Sequence, residues 1–188
     1  MASDTTRQLI LLRHAKSDWP DVPDRARPLA KRGRRDAPRI RRWLHEHGYQ
    51  PDVVVCSAAR RARQTWDLMA PELGGSPAVH FEPRAYAASA LTLLYLAQEL
   101  PSRYRTALLI AHNPGLSELA SNLAAPPGSD PGSDPGSDPE SDRAAGNGPR
   151  PGISLPTAGV AVVEFVGDWP ALTPGQARLL EHVVPADL

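Results

Sequence analysis

Apolar residues in this chain come mainly as short unbroken runs. Leu9–Leu12 is the first, and it leads straight into Arg13-His14. Val53-Val54-Val55-Cys56 is the second, Ala107-Leu108-Leu109-Ile110 the third, and TAGVAVVEFV (Thr157–Val166) carries a fourth. Runs of this length, bounded by polar residues and rich in branched side chains, suit strands buried on both faces, as in a parallel sheet. Between them the spacing changes. Ala37, Ile40, Trp43 and Leu44 recur at helical intervals within Ala30–His47, with arginines between them, and Gly48 is placed to close that helix. Pro38 puts the start of its regular part near Asp36, leaving the proline in the first turn.

A second helix is predicted from Arg60 to Leu68, running towards Pro71. A third covers Ala88–Leu100, with Leu91, Leu94, Tyr95 and Leu96 inward, and Leu116–Leu123 gives a fourth. Ala78–Glu82 and Arg178–Val184 read as shorter strands, whereas Lys16–Arg27, with Pro20, Pro23 and several Asp, has loop chemistry. Strands alternating with helices predict an α/β fold, a three-layer α/β/α sandwich with a mostly parallel central sheet flanked by helices.

Composition refines this picture in three places. The 188 residues make a single domain, 1–188, the simplest reading, with enough chain to bury a substantial core. Pro126–Pro151 departs from the rest: GSDP occurs three times in a row (Gly128–Pro139), and almost nothing apolar offsets the cost of ordering. A disordered, acidic surface insertion is therefore expected at 126–151. Formal charge is zero, but the insertion concentrates acids while Arg25–Arg42 concentrates bases, leaving the remaining body mildly cationic. An arginine-rich helix face is ordinarily solvated, so no nucleic-acid partner is expected.

Cys56 is the one cysteine, so no intrachain disulfide can form and a reducing compartment suits the chain. MASDTTRQ lacks a basic stretch followed by an apolar one, and no run approaches the roughly 18 apolar residues of a membrane span. A soluble, cytoplasmic protein without a membrane partner is expected. His45 and His47 invite a metal reading, but residues two apart on a helix do not share a face, so no metal site is expected there.

The candidate chemistry sits where strands end. Arg13-His14, Arg61 and His112 each follow an apolar run, and a parallel sheet would bring those junctions to the edge where open α/β sheets bind ligands. Arg61 also falls at a helix start, whose unpaired N–H groups and positive dipole end suit a phosphate. If these residues converge, two arginines can clamp phosphoryl oxygens bidentately. One neutral imidazole can attack phosphorus to give a phosphohistidine that water later hydrolyses. The second can donate a hydrogen bond to the same oxygens. Such chemistry rests on charge stabilisation by arginine; it requires no magnesium ion, and no cofactor is expected.

Four segments carry a resemblance: LLRHAKSDW (Leu11–Trp19), RPLAKRG (Arg27–Gly33), VVVCSAARRARQT (Val53–Thr65) and LLIAHNPGL (Leu108–Leu116). In this order they resemble the histidine phosphatase superfamily, which includes the cofactor-dependent phosphoglycerate mutases and is known for an Arg-His-Gly motif. The chain is most similar there to the SixA-type phosphohistidine phosphatases. The resemblance implies a phosphoglycerate mutase-like fold, His14 as the phosphorylated nucleophile, Arg13 and Arg61 as phosphate-binding arginines and His112 as the second catalytic histidine. It also places Arg27 near the pocket mouth, where it would bind substrate.

Two departures bear on the reaction. Ala15 replaces the motif glycine, as in SixA-like members, and Pro20 stands where the mutases carry a phosphate-contacting Asn, which argues against mutase chemistry. No secure general acid is visible; Glu82 is the nearest acid in a plausible region. A missing acid suits an imidazole leaving group, whose pKa of about 6.5 makes it easier to expel than an alkoxide. The expectation is thus a metal-independent phosphatase acting through a phosphohistidine intermediate, on a phosphohistidine protein. The alternatives are a small phosphorylated substrate or a non-catalytic phosphate-recognition module.

Overall fold

The run Leu9–Leu12 lies in β1 (Thr6–Arg13), whose backbone is paired on both sides. The structure, a computed structural model, describes residues 5–71, 73–124 and 152–187. After β1 come α1 (Lys31–Glu46), β2 (Val53–Ser57), α2 (Arg60–Met69), β3 (Ala78–Glu82) and α3 (Ala90–Gln98). Then follow β4 (Thr106–Ala111), α4 (Gly115–Ala124), β5 (Val160–Val166) and β6 (Arg178–Val183). One six-stranded sheet runs in the order β3-β2-β4-β1-β5-β6. Its first four strands are parallel; β5 runs antiparallel to β1, and β6 antiparallel to β5. The sheet is mixed but mostly parallel, within the α/β fold that the alternation predicts.

Alternate residues of the central strands feed opposite layers. Leu9, Leu11, Leu109 and Val163 join the core under α3 and α4; Ile10, Leu12, Ile110 and Val162 join the core under α1 and α2. This is why the strands read as continuous apolar runs instead of alternating ones. Truncating a fully buried Leu or Ile of this kind to Ala costs about 2–5 kcal/mol. Among the described residues no helix is long and apolar enough to cross a membrane. The acidic GSDP stretch expected to be disordered lies outside the described residues.

Three local expectations need correction. Helix α1 begins at Lys31, and Pro38 lies inside it instead of in its first turn. Proline there removes the donor for the Arg34 carbonyl and costs about 3 kcal/mol relative to alanine. Burial of Gly33, Ala37, Ile40 and Leu44 along one face outweighs that cost. The first turn is held by the Ala30 N–H donating to the Lys16 carbonyl at 2.9 Å. A Cβ on Gly33 would lie 2.2 Å from that same Lys16 oxygen, so the close approach depends on glycine.

On α3, Leu93, Leu94, Leu96 and Ala97 are buried, whereas Leu91 and Tyr95 are 55% and 52% exposed, not inward. The apolar residues there exceed what one helix face can bury, and the sheet selects the Leu93–Ala97 side. Finally, β5 starts at Val160, not Thr157. Ala158 adopts a left-handed φ of 64°, which breaks the extended backbone. Its N–H instead donates to the carbonyls of Arg13 and His14, each at 3.1 Å.

Candidate active site

Strands β2, β4 and β1 are neighbours and parallel, so their carboxyl ends share one edge of the sheet. His14 follows β1, His112 follows β4, and Arg61 lies in the first turn of α2, just beyond β2. All three are buried. The imidazole centroids of His14 and His112 are 4.9 Å apart. Between them reaches Arg61: its Nε donates to His14 Nε2 at 3.2 Å, and its Nη2 approaches His112 Nδ1 at 3.4 Å.

Because arginine only donates, these contacts fix the tautomers. His14 Nδ1 is 2.8 Å from the Ala15 carbonyl, to which it donates, so Nε2 keeps its lone pair. His112 accepts at Nδ1 and donates from Nε2 to Ser57 Oγ at 2.7 Å. Burial, reinforced by the charges of Arg61, Arg13 and Arg27, lowers the His14 pKa to about 4, although the Ala15 bond opposes this. Burial also brings His112 to about 3, with the charges of His14 and Arg61 adding to it and Asp24 working against it. Both rings are neutral near pH 7.

Arg13 donates from Nη1 to the Leu155 carbonyl at 3.1 Å. Among the described residues its Nε–H is a buried donor without a hydrogen-bond partner. Burial and, after it, the charge of Arg61 push its guanidinium below the ordinary arginine pKa. Arg27 is buried one layer out, bonded to Ser17 Oγ (2.8 Å) and the Asp18 carbonyl (2.9 Å), with the 75% exposed Trp19 stacked on its guanidinium. The structure therefore brings His14, His112 and Arg61 into direct contact, with Arg13 and Arg27 adding their charges. Glu82 is not drawn in: its carboxylate takes the Arg84 side chain at 3.0 Å and the Arg84 N–H at 2.8 Å. Arg84 holds it below the usual carboxylate range.

Several participants escape sequence reasoning. Asp24 binds Arg61 and Arg27 through its carboxylate, at 3.0 and 2.8 Å, and accepts from the Tyr86 hydroxyl at 2.7 Å. Those bonds, from Tyr86 foremost, hold its pKa far below the ordinary range. The signal available was its place three residues before Arg27. Ser57 passes as a small turn residue. Thr65 sits inside a quoted segment, and its role emerges only in space: Oγ1 accepts the Ala15 N–H at 3.0 Å and donates to the Arg61 carbonyl at 2.7 Å. One hydroxyl thus ties the loop of His14 to the helix of Arg61. The His45/His47 pair faces solvent, and among the described residues no group of three or more His, Cys, Asp or Glu is placed to hold a metal ion.

The family model of the histidine phosphatase superfamily (branch 1) matches residues 9–85, which include His14 and Arg61. The chain belongs to the histidine phosphatase superfamily. The family match together with the phosphatases among its structural neighbours identifies it as a phosphatase, and its architecture is shared with phosphoglycerate mutase-like proteins. It is 34% identical over 175 residues to the uncharacterized protein Rv1276c of Mycobacterium tuberculosis, covering 93% of this chain and 99% of that one. A solved structure proposed to be the phosphohistidine phosphatase SixA of Nakamurella multipartita superposes with a TM-score of 0.76 at 26% identity, over 96% of each chain. The protein histidine phosphatase SixA complexed with tungstate shares the fold, with a TM-score of 0.72 at 19% identity over 96% of this chain and 98% of that one.

Proposed function

We propose that this phosphatase is a metal-independent protein phosphohistidine phosphatase acting through a phosphorylated His14. The observation that carries the reading is the orientation of His14: Nδ1 is committed to the Ala15 carbonyl, and the Nε2 lone pair faces the guanidinium of Arg61. Nε2 attacks phosphorus, the bond from phosphorus to the leaving group breaks, and the leaving group takes that electron pair. Water then attacks the phosphoryl group on His14; the N–P bond breaks, its pair returns to Nε2, and inorganic phosphate departs. Arg61 and Arg13 stabilise the equatorial oxygens, the orphaned Arg13 Nε–H being a donor ready for one of them. His112 completes the anion-binding wall once protonated, and Arg27 supports the mouth.

The leaving group is argued from acidity. Asp24, the carboxylate on Arg61, is held strongly ionised, and Glu82 is engaged by Arg84, so neither is tuned to donate a proton near neutral pH. An imidazole needs little such help. The SixA relationship supports the same substrate class.

The test is phosphate release from a mixed panel, a phosphohistidine protein beside small phosphomonoesters, with and without EDTA. We expect turnover of the phosphohistidine protein that survives EDTA and is abolished in His14→Ala, and a trapped phospho-His14 by mass spectrometry. Full activity in His14→Ala rejects the mechanism. A small metabolite phosphate hydrolysed orders of magnitude faster, with the protein untouched, replaces the substrate.

A further inference from the structure

A guanidinium offers two edges for paired hydrogen bonds: a side-on edge, Nε with Nη2, and an end-on edge, Nη1 with Nη2. In Arg61 the side-on edge faces the histidines, with Nε on His14 and Nη2 towards His112. The end-on edge belongs to one residue. Nη1 donates to the Asp24 main-chain carbonyl at 2.7 Å, and Nη2 to Asp24 Oδ2 at 3.0 Å. Asp24 is in turn fixed by others, since Oδ2 also accepts from the Tyr86 hydroxyl and Oδ1 from Arg27 Nη1. Three segments meet at this carboxylate: the loop before α1 gives Asp24 and Arg27, α2 gives Arg61, and the turn after β3 gives Tyr86.

We propose that Asp24 is the positioning residue of this pocket: it occupies the end-on edge of Arg61, reserves the side-on edge for phosphoryl oxygens, and sets the pocket's net charge. The assignment rests on the phosphatase reading above. The charge follows by inspection. With both histidines neutral, three cations (Arg13, Arg27 and Arg61) and one anion (Asp24) leave an excess of two positive charges, the complement of a phosphoryl dianion. Asp24 also lets Arg61 and Arg27 approach one another, since each guanidinium bonds a different oxygen of the same carboxylate.

Asp24 therefore acts in two separable ways, by direction and by charge, and two variants separate them. Asp24→Asn keeps an amide oxygen near Arg61 and removes the charge; Asp24→Glu keeps the charge and shifts its position by one methylene. For Asp24→Asn we expect kcat about tenfold lower, because the amide has one acceptor oxygen where Arg27 and Arg61 each bond a different carboxylate oxygen, so its NH2 opposes one guanidinium and loosens Arg61. Inorganic phosphate should bind about threefold tighter, because a competing anion has gone from the pocket. For Asp24→Glu we expect a loss in kcat without the tighter phosphate. The two parameters moving in opposite directions is a result that a merely structural contribution does not give.

Phosphate affinity is measured calorimetrically on the full chain, so the charge effect is read even if no substrate of the panel is turned over. In that case the catalytic reading fails while tighter phosphate in Asp24→Asn still supports Asp24 as the internal counter-anion. Unchanged kcat and unchanged phosphate affinity in Asp24→Asn overturn the proposal. So does a parallel loss of both with the melting temperature preserved, which places Asp24 on the phosphate itself. Should Asp24→Asn not fold, Asp24→Glu decides: wild-type kcat in that variant overturns the positioning role.

Discussion

His14 and His112 present lone pairs to the same guanidinium edge of Arg61, His14 through Nε2 and His112 through Nδ1. Burial keeps both imidazoles unprotonated, and the one cation between them adds to the effect. The proposed nucleophile, His14, is thus unprotonated well below the pH at which a free histidine would be charged.

Activity should reflect this directly. The profile of kcat/KM against pH reports the free enzyme, so its acid limb should fall as pH drops through about 4, where His14 takes a proton, and not near the ordinary histidine value of 6.5. An acid limb centred near 6.5 would contradict the assignment. Stability carries the same sign. Between pH 6.5 and about 4 the unfolded chain binds protons on these imidazoles that the folded chain does not. Stability should therefore rise with pH across that window and level off above it, as thermal melts at stepped pH can read.

His112 cannot donate from Nδ1 to an oxyanion until that nitrogen gains a proton. A dianion arriving beside it favours the charged ring. Binding of sulfate, which does not itself titrate near neutrality, should take up a proton at pH 6, visible as calorimetric enthalpies that vary with the ionisation heat of the buffer. Enthalpies independent of buffer would mean that His112 stays neutral in the complex.

Ser57 fixes the His112 tautomer by accepting from Nε2. Ser57→Ala leaves that buried N–H unsatisfied, at a cost of about 1–3 kcal/mol. The variant should melt lower, and kcat should fall about tenfold as the ring loses its orientation. A melting shift without any change in kcat would confine Ser57 to stability.

Gly33→Ala probes the loop after His14. Its Cβ meets the Lys16 carbonyl at 2.2 Å and the Lys16 nitrogen at 2.9 Å, both main-chain atoms that cannot rotate away. Overpacking of this kind costs about 1–3 kcal/mol. Because Lys16 lies two residues beyond His14, activity should drop with stability. Wild-type melting and turnover would show that α1 can withdraw freely from the loop.

How far the sequence carried these conclusions differs from residue to residue. Leu9–Leu12 and Val53–Cys56 announced strands because burial on both faces leaves no polar alternation to misread, and the histidines stood out by ending such runs. Pro38 and the pair Leu91 and Tyr95 misled because tertiary burial, invisible locally, decides whether a proline is tolerated and which face of an apolar helix is covered. Asp24 stayed hidden among the Asp residues of a proline-punctuated loop. Its significance lies in partners 37 and 62 positions away. Ser57 and Thr65 were silent because a hydroxyl's partner cannot be deduced from its neighbours.

The reversed direction of β5 means that the segment leading into it, not the one leaving it, borders the histidine edge. What that segment supplies is main chain: the Leu155 carbonyl accepts from Arg13 and Asn113, and the Ala158 N–H donates to the carbonyls of Arg13 and His14. Contacts made by the backbone survive replacement of the side chains that happen to adorn it. Leu155 and Ala158 are, however, fully buried, so this wall of the pocket is pinned to the core by two side chains, while the exposed Ser154 just before them can change without moving it.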